Sequence, residues 1–308
     1  MKSKKKIFYC SLAAMLLIFY ICFSGCESAA DLDLSEYNSQ LVVTCFFQPD
    51  TAWIVDVSLS ADAFENTEIE KVYEAQIEIW NKNSRIAVLE HIGDGRYKSN
   101  TVQPVENKVY SISVSSPGYE SISAEDVIPA DVPLISAGNS IVLDTVENIV
   151  TAHIEGEFTF DDPPDIRNFY SIALNVCSSL NECQQVFFQT TDDFIWQEIR
   201  DNYAVEPKED DLYYDVVFSD KLFNGQTKTI QVFTEFDITG ENIIHIGFSL
   251  LNLSKDAYDY RRTTELKLYR ANDRFAEPVN IFDNIDNGLG IFAGFNISSI
   301  FIDPEFEN

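Results

Sequence analysis

From Ser39 onward the chain alternates apolar and polar residues with a period of two. Val55-Asp56-Val57-Ser58-Leu59 is the plainest run, and "QLVVTCFF", "AQIEIWN", "IAVLEHIG", "GRYKSN", "KVYSISVSS" and "YESISAEDVI" are similar short segments. They are rich in Val, Ile, Tyr and Phe, whose branched or flat side chains suit a pleated, half-buried surface. Turn chemistry separates them at Asn81–Asn83, Gly93-Asp94-Gly95 and Pro117-Gly118. Short strands at this spacing, with no helical period between them, predict a β-sandwich over 39–130. In "VIPADVP" two prolines stand four residues apart and disfavour a continuing strand, which marks a domain junction.

The region 131–308 is also β-rich, with strand composition in "VTAHIEGEFTF", "NFYSIALNVC", "CQQVFFQT", "DLYYDVVFSD", "TKTIQVFTEF" and "IIHIGFSLLNLS". Two stretches change period. "DDFIWQEIRDNY" predicts a short helix with Phe194, Ile195, Ile199 and Tyr203 near one face. "SKDAYDYRRTTELKLYRAND" predicts a longer one near 255–271, with Ser254 as N-cap, Ala257, Tyr260, Thr264 and Leu268 on one stripe, and Asn272 at its end. This helix is expected to cover one face or end of the sheet. The closing stretch "VNIFDNIDNGLGIFAGFNISSIFID" has a turn signal at Asn287-Gly288 and then strands expected to close the second sandwich. No repeat relates the two halves. The fold class is therefore mostly β: two sandwich domains in series, the second with an added helix.

Ahead of this lies a different pattern. Lys2, Lys4, Lys5 and Lys6 precede an apolar run from Ile7 to Phe23. The run is near the lower limit for a membrane-spanning helix, but it stops at Phe23-Ser24-Gly25-Cys26, small residues before a cysteine as in a bacterial lipobox. Phe23 stands where Leu or Val is usual. Residues 1–25 read as a lipoprotein signal peptide, Cys26 as the lipidated residue, and 26–38 as a polar tether. One acyl chain anchors weakly, whereas the three of a bacterial lipoprotein anchor stably. The alternatives are an ordinary cysteine behind a generic signal, or a retained anchor. Glu27, Asp31 and Asp33 suit either a surface-export signal or a plain acidic linker.

Charge narrows the partners. The whole chain has a formal net charge of −29, and without a leader that carries four lysines and no acids the value is −33. A surface of that sign repels nucleic acid. The acids are spread along the chain, as on a solvated surface. Beyond Cys26 three cysteines remain. Cys177 and Cys183, in "NVCSSLNECQQV", flank what reads as a hairpin tip and are expected to form a disulfide, as an exported protein allows. Cys45, in an apolar run, reads as a buried thiol.

The search for chemistry finds little. His91, His153 and His245 have no metal-ligand spacing, and the chain has no G-x-S-x-G, P-loop or G-x-G-x-x-G. Clustered glycines in "GDGRY" and "GLGIFAGF" read as turns. Asp161-Asp162, Asp192-Asp193 and Asp210-Asp211 are acidic pairs in a chain already rich in acids, and sequence neighbours rarely give glycosidase geometry. "DNIDNG" lacks the middle acid of a calcium loop at Ile285 and has Gly294 where a Glu belongs. No catalytic residue, metal or cofactor is expected.

Several segments together resemble a family of Bacteroidota outer-membrane lipoproteins that carries a domain of unknown function and is often encoded beside TonB-dependent receptors. They are the lipobox at Cys26, "QLVVTCFF", "YEAQIEIWNKN…GDGRYKSN…NKVYSISVSSPGYES", "YYDVVFSDKLFNGQT", "LSKDAYDYRRTTELKLY" and "FAEPVNIFDNIDNGLGIFAGFNISS". The last is the most specific, with Asn284-Ile285, Asn287-Gly288, Gly290-Ile291-Phe292 and Gly294. Cys45 departs from the family, which more often has an acidic or small residue there. The resemblance implies location and neighbourhood and carries over no site residue. The first domain also resembles immunoglobulin- or prealbumin-like modules through Gly95-Arg96-Tyr97, Tyr110–Val114 and Gly118-Tyr119.

Three functions follow as expectations. The leading one is a non-enzymatic, lipid-anchored outer-membrane accessory protein that partners a TonB-dependent receptor in nutrient capture or uptake, its exposed or periplasmic side left open. The alternative is a fimbrial or adhesive subunit, which would need trimming after an arginine of the first domain. Arg85 and Arg96 both lie among predicted strands. A surface hydrolase ranks third. The glycine-rich loop 284–296 is read first as a structural element whose backbone tucks against the sheet, and second as an exposed docking loop presenting Phe292 and Phe295.

Overall fold

The computed structural model describes residues 38–61, 69–179, 183–271 and 277–307. The signal peptide, Cys26, nearly all of the tether and Asn272 lie outside them. Alternation decides the first layer. β1 (Leu41–Phe47) and β2 (Trp53–Leu59) pair antiparallel, and their odd-numbered residues point inward. β2 continues to β6 (Arg96–Ser99) and then β5 (Glu90–Gly93). Opposite stands a four-stranded sheet of β4 (Ser84–Val88), β3 (Gln76–Asn81), β7 (Val109–Ser115) and β8 (Ile122–Val127), in that order. Trp53, Val55, Ile77, Tyr97, Tyr110 and Val114 fill the space between. Burial of each such side chain stabilises the fold by roughly 1.5–3 kcal/mol.

The chain leaves β8 through Pro129 and Pro133, and a second core begins at Val132. Here β9 (Leu134–Val146), β10 (Ile149–Asp161) and β14 (Thr227–Asp237) form a three-stranded sheet. It faces β11 (Phe169–Ser178), β12 (Gln184–Val186), β13 (Val216–Ser219) and β15 (Ile243–Leu253). β9 was not legible as a strand, because Ala137, Gly138, Asn139 and Ser140 interrupt its apolar pattern. Its hairpin with β10 turns at Glu147 and Asn148, both at positive φ, without the glycine that usually marks such a turn. The fold is thus mostly β, with β-sandwich layers.

Helix α1 (Asp193–Tyr203) buries Ile195, Ile199 and Tyr203, the face expected of it. Helix α2 (Lys255–Arg270) starts where the Ser254 hydroxyl accepts from the Ala257 amide at 3.0 Å, a side-chain N-cap. It lies against the large sheet, and its Tyr260 ring meets Phe46 edge-on at 5.8 Å. Among the described residues no helix is long and apolar enough to cross a membrane.

The final strand differs from expectation. β16 (Leu289–Ile302) runs parallel to β1 from Val42↔Leu289 to Phe47↔Gly294, then antiparallel to β15 from Phe295↔Leu253 onward. Only its second half closes the second sandwich. The first half joins the two halves into one sheet, in the order β12-β11-β15-β16-β1-β2-β6-β5. Adjacent strand residues face opposite sides, so Phe292 enters the first core while Ile291 and Ala293 enter the second. Two glycines permit this. Gly290 has φ +116°, and a Cβ there would lie 1.9 Å from the Val43 carbonyl oxygen; one on Gly294 would lie 2.4 Å from that of Val127. Ser39–Asn308 accordingly form one compact unit.

Candidate functional site

Where α1, α2 and the approach to β13 meet, the fold leaves a cleft of about 450 Å3. Its buried floor is Ile199 and Tyr203 from α1, and Tyr213 and Val216 around the start of β13. Its rim is exposed and largely apolar: Leu212 is 62% and Leu268 68% accessible, with Tyr214 and Tyr269 beside them. Leu268 was placed on the buried stripe of α2, but it lies at the far end of the helix, where the stripe runs out over this cleft rather than over the sheet. Tyr203 and Tyr269 stack at 5.3 Å.

Two carboxyls line the cleft. Asp215 accepts from the Ser171 hydroxyl and is ion-paired with Arg261 of α2. Glu265, one turn after Arg261, accepts a hydrogen bond from the Tyr203 hydroxyl. Burial pushes the Glu265 carboxyl up to about 8, helped by the charge of Asp215, while the Tyr203 hydrogen bond and Arg261 hold it down. Burial and the neighbouring Glu265 raise the Tyr203 phenol in turn. Tyr213 is only 5% accessible, and its buried hydroxyl has no hydrogen-bond partner among the described residues. Neither Lys, Arg, Ser, Cys nor His is among the described residues that line the cleft. Leu212 also lines a neighbouring cavity of about 560 Å3, bounded by Phe187, Gln189, Thr234 and Phe236.

Residues 27–300 match the model of a domain of unknown function, DUF4249. The chain belongs to the DUF4249 family. The match takes in the cleft and all but the last two residues of β16. No curated protein matches this DUF4249 chain. Among solved structures, a penta-heme cytochrome c552 from Thermochromatium tepidum is similar at 11% identity over 55% of this chain and 40% of its own, with a TM-score of 0.17. At that score the likeness carries no argument.

The residues singled out from sequence fall elsewhere in the DUF4249 fold. Cys177 and Cys183 are joined by a disulfide across the β11–β12 hairpin. Cys45 is a buried free thiol, its pKa pushed up by burial and then by Asp56. The second reading of loop 284–296, in which Phe292 is exposed for docking, is corrected. Phe292 is 0% accessible, with its ring 4.5 Å from Phe47 and 6.3 Å from Trp53, because β16 turns that side chain into the first core. Phe295 is partly buried against the second core.

The histidines are dispersed. His91 packs on Tyr73 and Tyr97, His153 pairs with Glu235 at 3.2 Å, and His245 pairs with Asp303 at 3.3 Å. Among the described residues no group of three or more His, Cys, Asp or Glu is placed to hold a metal ion. Of the acidic pairs, Asp162 is buried and accepts from the Tyr170 hydroxyl at 2.5 Å and the Gly225 amide at 2.7 Å, a structural role. Asp192 accepts from the Gln231 amide at 3.0 Å, and Asp211 from the Lys208 amide at 2.9 Å.

Sequence reasoning missed the cleft. Tyr213 and Tyr214 were absorbed into a strand segment, although adjacent tyrosines in "DLYYD" ahead of a short strand cannot both face one core. Glu265 carried a signal of its own: a carboxylate one residue from Thr264 and three from Leu268, close to the stripe expected to be buried.

Proposed function

We propose that this DUF4249 protein is a lipid-anchored, non-enzymatic accessory protein of a Bacteroidota outer membrane that partners a TonB-dependent receptor and holds a small ligand in the tyrosine-lined cleft. The observation that carries the reading is the cleft: a buried floor, an exposed apolar rim and a buried hydroxyl without a partner among the described residues. Ligand pockets are mostly apolar with a few convergent polar groups, and commonly measure about 300–1,000 Å3. Among the described residues the lining lacks a nucleophile with an adjacent base, the arrangement that covalent catalysis uses. Anchoring is supported by the basic leader, the apolar run and the lipobox at Cys26, and export by the disulfide, which persists in oxidising compartments.

Affinity purification of the full-length protein from native outer membranes tests the partnership. Recovery of a TonB-dependent receptor is expected, and its loss for Cys26→Ser, which leaves nothing to lipidate. Repeated recovery of the wild-type protein alone would overturn the partnership.

A further inference from the structure

We propose that the cleft between α1 and α2 recognises an organic ammonium ion: a primary amine on an aliphatic or aromatic body. The inference deepens the reading of the cleft as a ligand site and rests on it. Three features select the class. First, among the described residues the two carboxyls have one cation between them. Arg261 is bonded to Asp215 and its guanidinium lies over the Phe46 ring at 5.8 Å, which leaves Glu265 with the Tyr203 hydroxyl as its hydrogen-bond partner. A shielded carboxyl without its own cation ionises only at a cost, and an ammonium ion in the cleft supplies the counter-charge that makes the ionised form favourable. Second, an ammonium group is a donor of three hydrogen bonds with no acceptor. The Tyr213 hydroxyl and the free lone pairs of Glu265 are acceptors in the same cleft. Third, four tyrosines line the cleft, and an aromatic ring face attracts a cation.

The same features exclude the competing classes. Among the described residues no lysine or arginine lines the cleft to receive an anion. A neutral polyol could satisfy hydroxyls but brings no counter-charge to the Glu265 carboxyl. Ile199, Leu212, Val216 and Leu268 supply apolar wall for the body of an amine.

The test is calorimetric titration of the full-length protein in detergent with benzylammonium, n-pentylammonium and acetyl-lysine amide. Benzyl alcohol, n-pentanol and a panel of neutral oligosaccharides serve as comparisons. At least one amine is expected to bind, at least about tenfold more tightly than its alcohol isostere. Glu265→Gln should reduce that affinity at least about tenfold. Should Glu265→Gln misfold, Leu268→Arg on the exposed rim should abolish amine binding with the melting temperature unchanged. Equal binding of amine and alcohol overturns the proposal, as does the absence of binding by all three amines. Binding of oligosaccharides alone overturns the ligand class and retains the cleft as a ligand site. A receptor recovered with a protein that binds no amine retains the accessory role, whereas amine binding without a receptor separates the two in the other direction.

Discussion

The side-chain amide of Asn284 takes both backbone hydrogen bonds of Phe292, accepting from its N–H at 3.0 Å and donating to its C=O at 2.9 Å. It acts there as a one-residue strand, and its Nδ2 also donates to Asp256 of α2 at 2.8 Å. Replacing Asn284 with Ala strips a partly buried N–H and C=O of their partners at once. Unsatisfied buried groups cost about 1–3 kcal/mol each, so Asn284→Ala should destabilise by about 2–5 kcal/mol in urea denaturation. Asn284→Asp keeps the acceptor, loses the donor and faces Asp256, so it should be less stable at pH 7 than at pH 4 relative to wild type.

Phe292→Ala removes a ring packed against Phe47 and Trp53 at the centre of the first core. A loss of about 3–5 kcal/mol is expected. Partner recovery should fall only in step with the folded fraction. A variant that keeps its melting temperature and loses the proposed receptor would restore the docking reading of this loop.

Gly290→Ala should be worse than either. Its Cβ would meet the Val43 backbone, which cannot rotate away, at a φ that L side chains rarely adopt. The expected result is failure to recover folded protein, checked by near-ultraviolet circular dichroism.

Glu265 gives the protein a pH dependence. Below about pH 4.5, the ordinary glutamate value, folded and unfolded chains both hold the proton. Between there and about 8 the folded chain keeps a proton that the unfolded chain has released. Stability therefore falls as pH rises, by up to about 1.4 kcal/mol per unit for this group. Asp126, raised to about 6 by burial against opposing hydrogen bonds from Ser254 and Gly294, adds the same sign over a narrower window. Tyr203, Asp215 and Arg261 face Glu265 and set the value. General charge repulsion in so acidic a chain slopes the same way, so the readout is a difference: Glu265→Gln should gain on wild type in stability between pH 5 and pH 8. Parallel melting curves across that range would refute it.

Loss of the hairpin disulfide should be mild. The loop it closes is short, with a sequence separation of 6, and chain entropy assigns such a crosslink about 2 kcal/mol. Cys177→Ser with Cys183→Ser should fold and melt lower. Peptide mapping of wild type without reductant should find both residues in one crosslinked fragment.

How much of this was legible depended on how local the deciding contacts are. Alternation in β1 and β2, the Ser254 cap and the buried face of α1 are fixed by residues a few positions apart, and periodicity displays them. The route of β16 is not. Its parallel pairing with β1 joins opposite ends of the chain, and the glycines that permit it report only that some backbone comes close. The cleft was hidden for a related reason. Its tyrosines come from a helix end, a strand approach and a second helix, and each reads as ordinary core composition in its own segment. What marks them is convergence, together with a carboxylate and an unpartnered hydroxyl that the core leaves over.

The pairing of β16 with β1 sets an order of events. Phe292 belongs to the first core yet lies far along the chain, so the amino-terminal sandwich stays incomplete throughout synthesis of everything between. Closing so long a loop is slow, since non-local contacts must first overcome the entropy of bringing distant segments together. On the proposed route of export across a membrane, that delay is useful. The early half cannot lock into a finished module while the rest is still emerging. It also means that cutting at the proline junction would not release two working pieces: the first would be left with an open edge at β1 and a hole where Phe292 belongs.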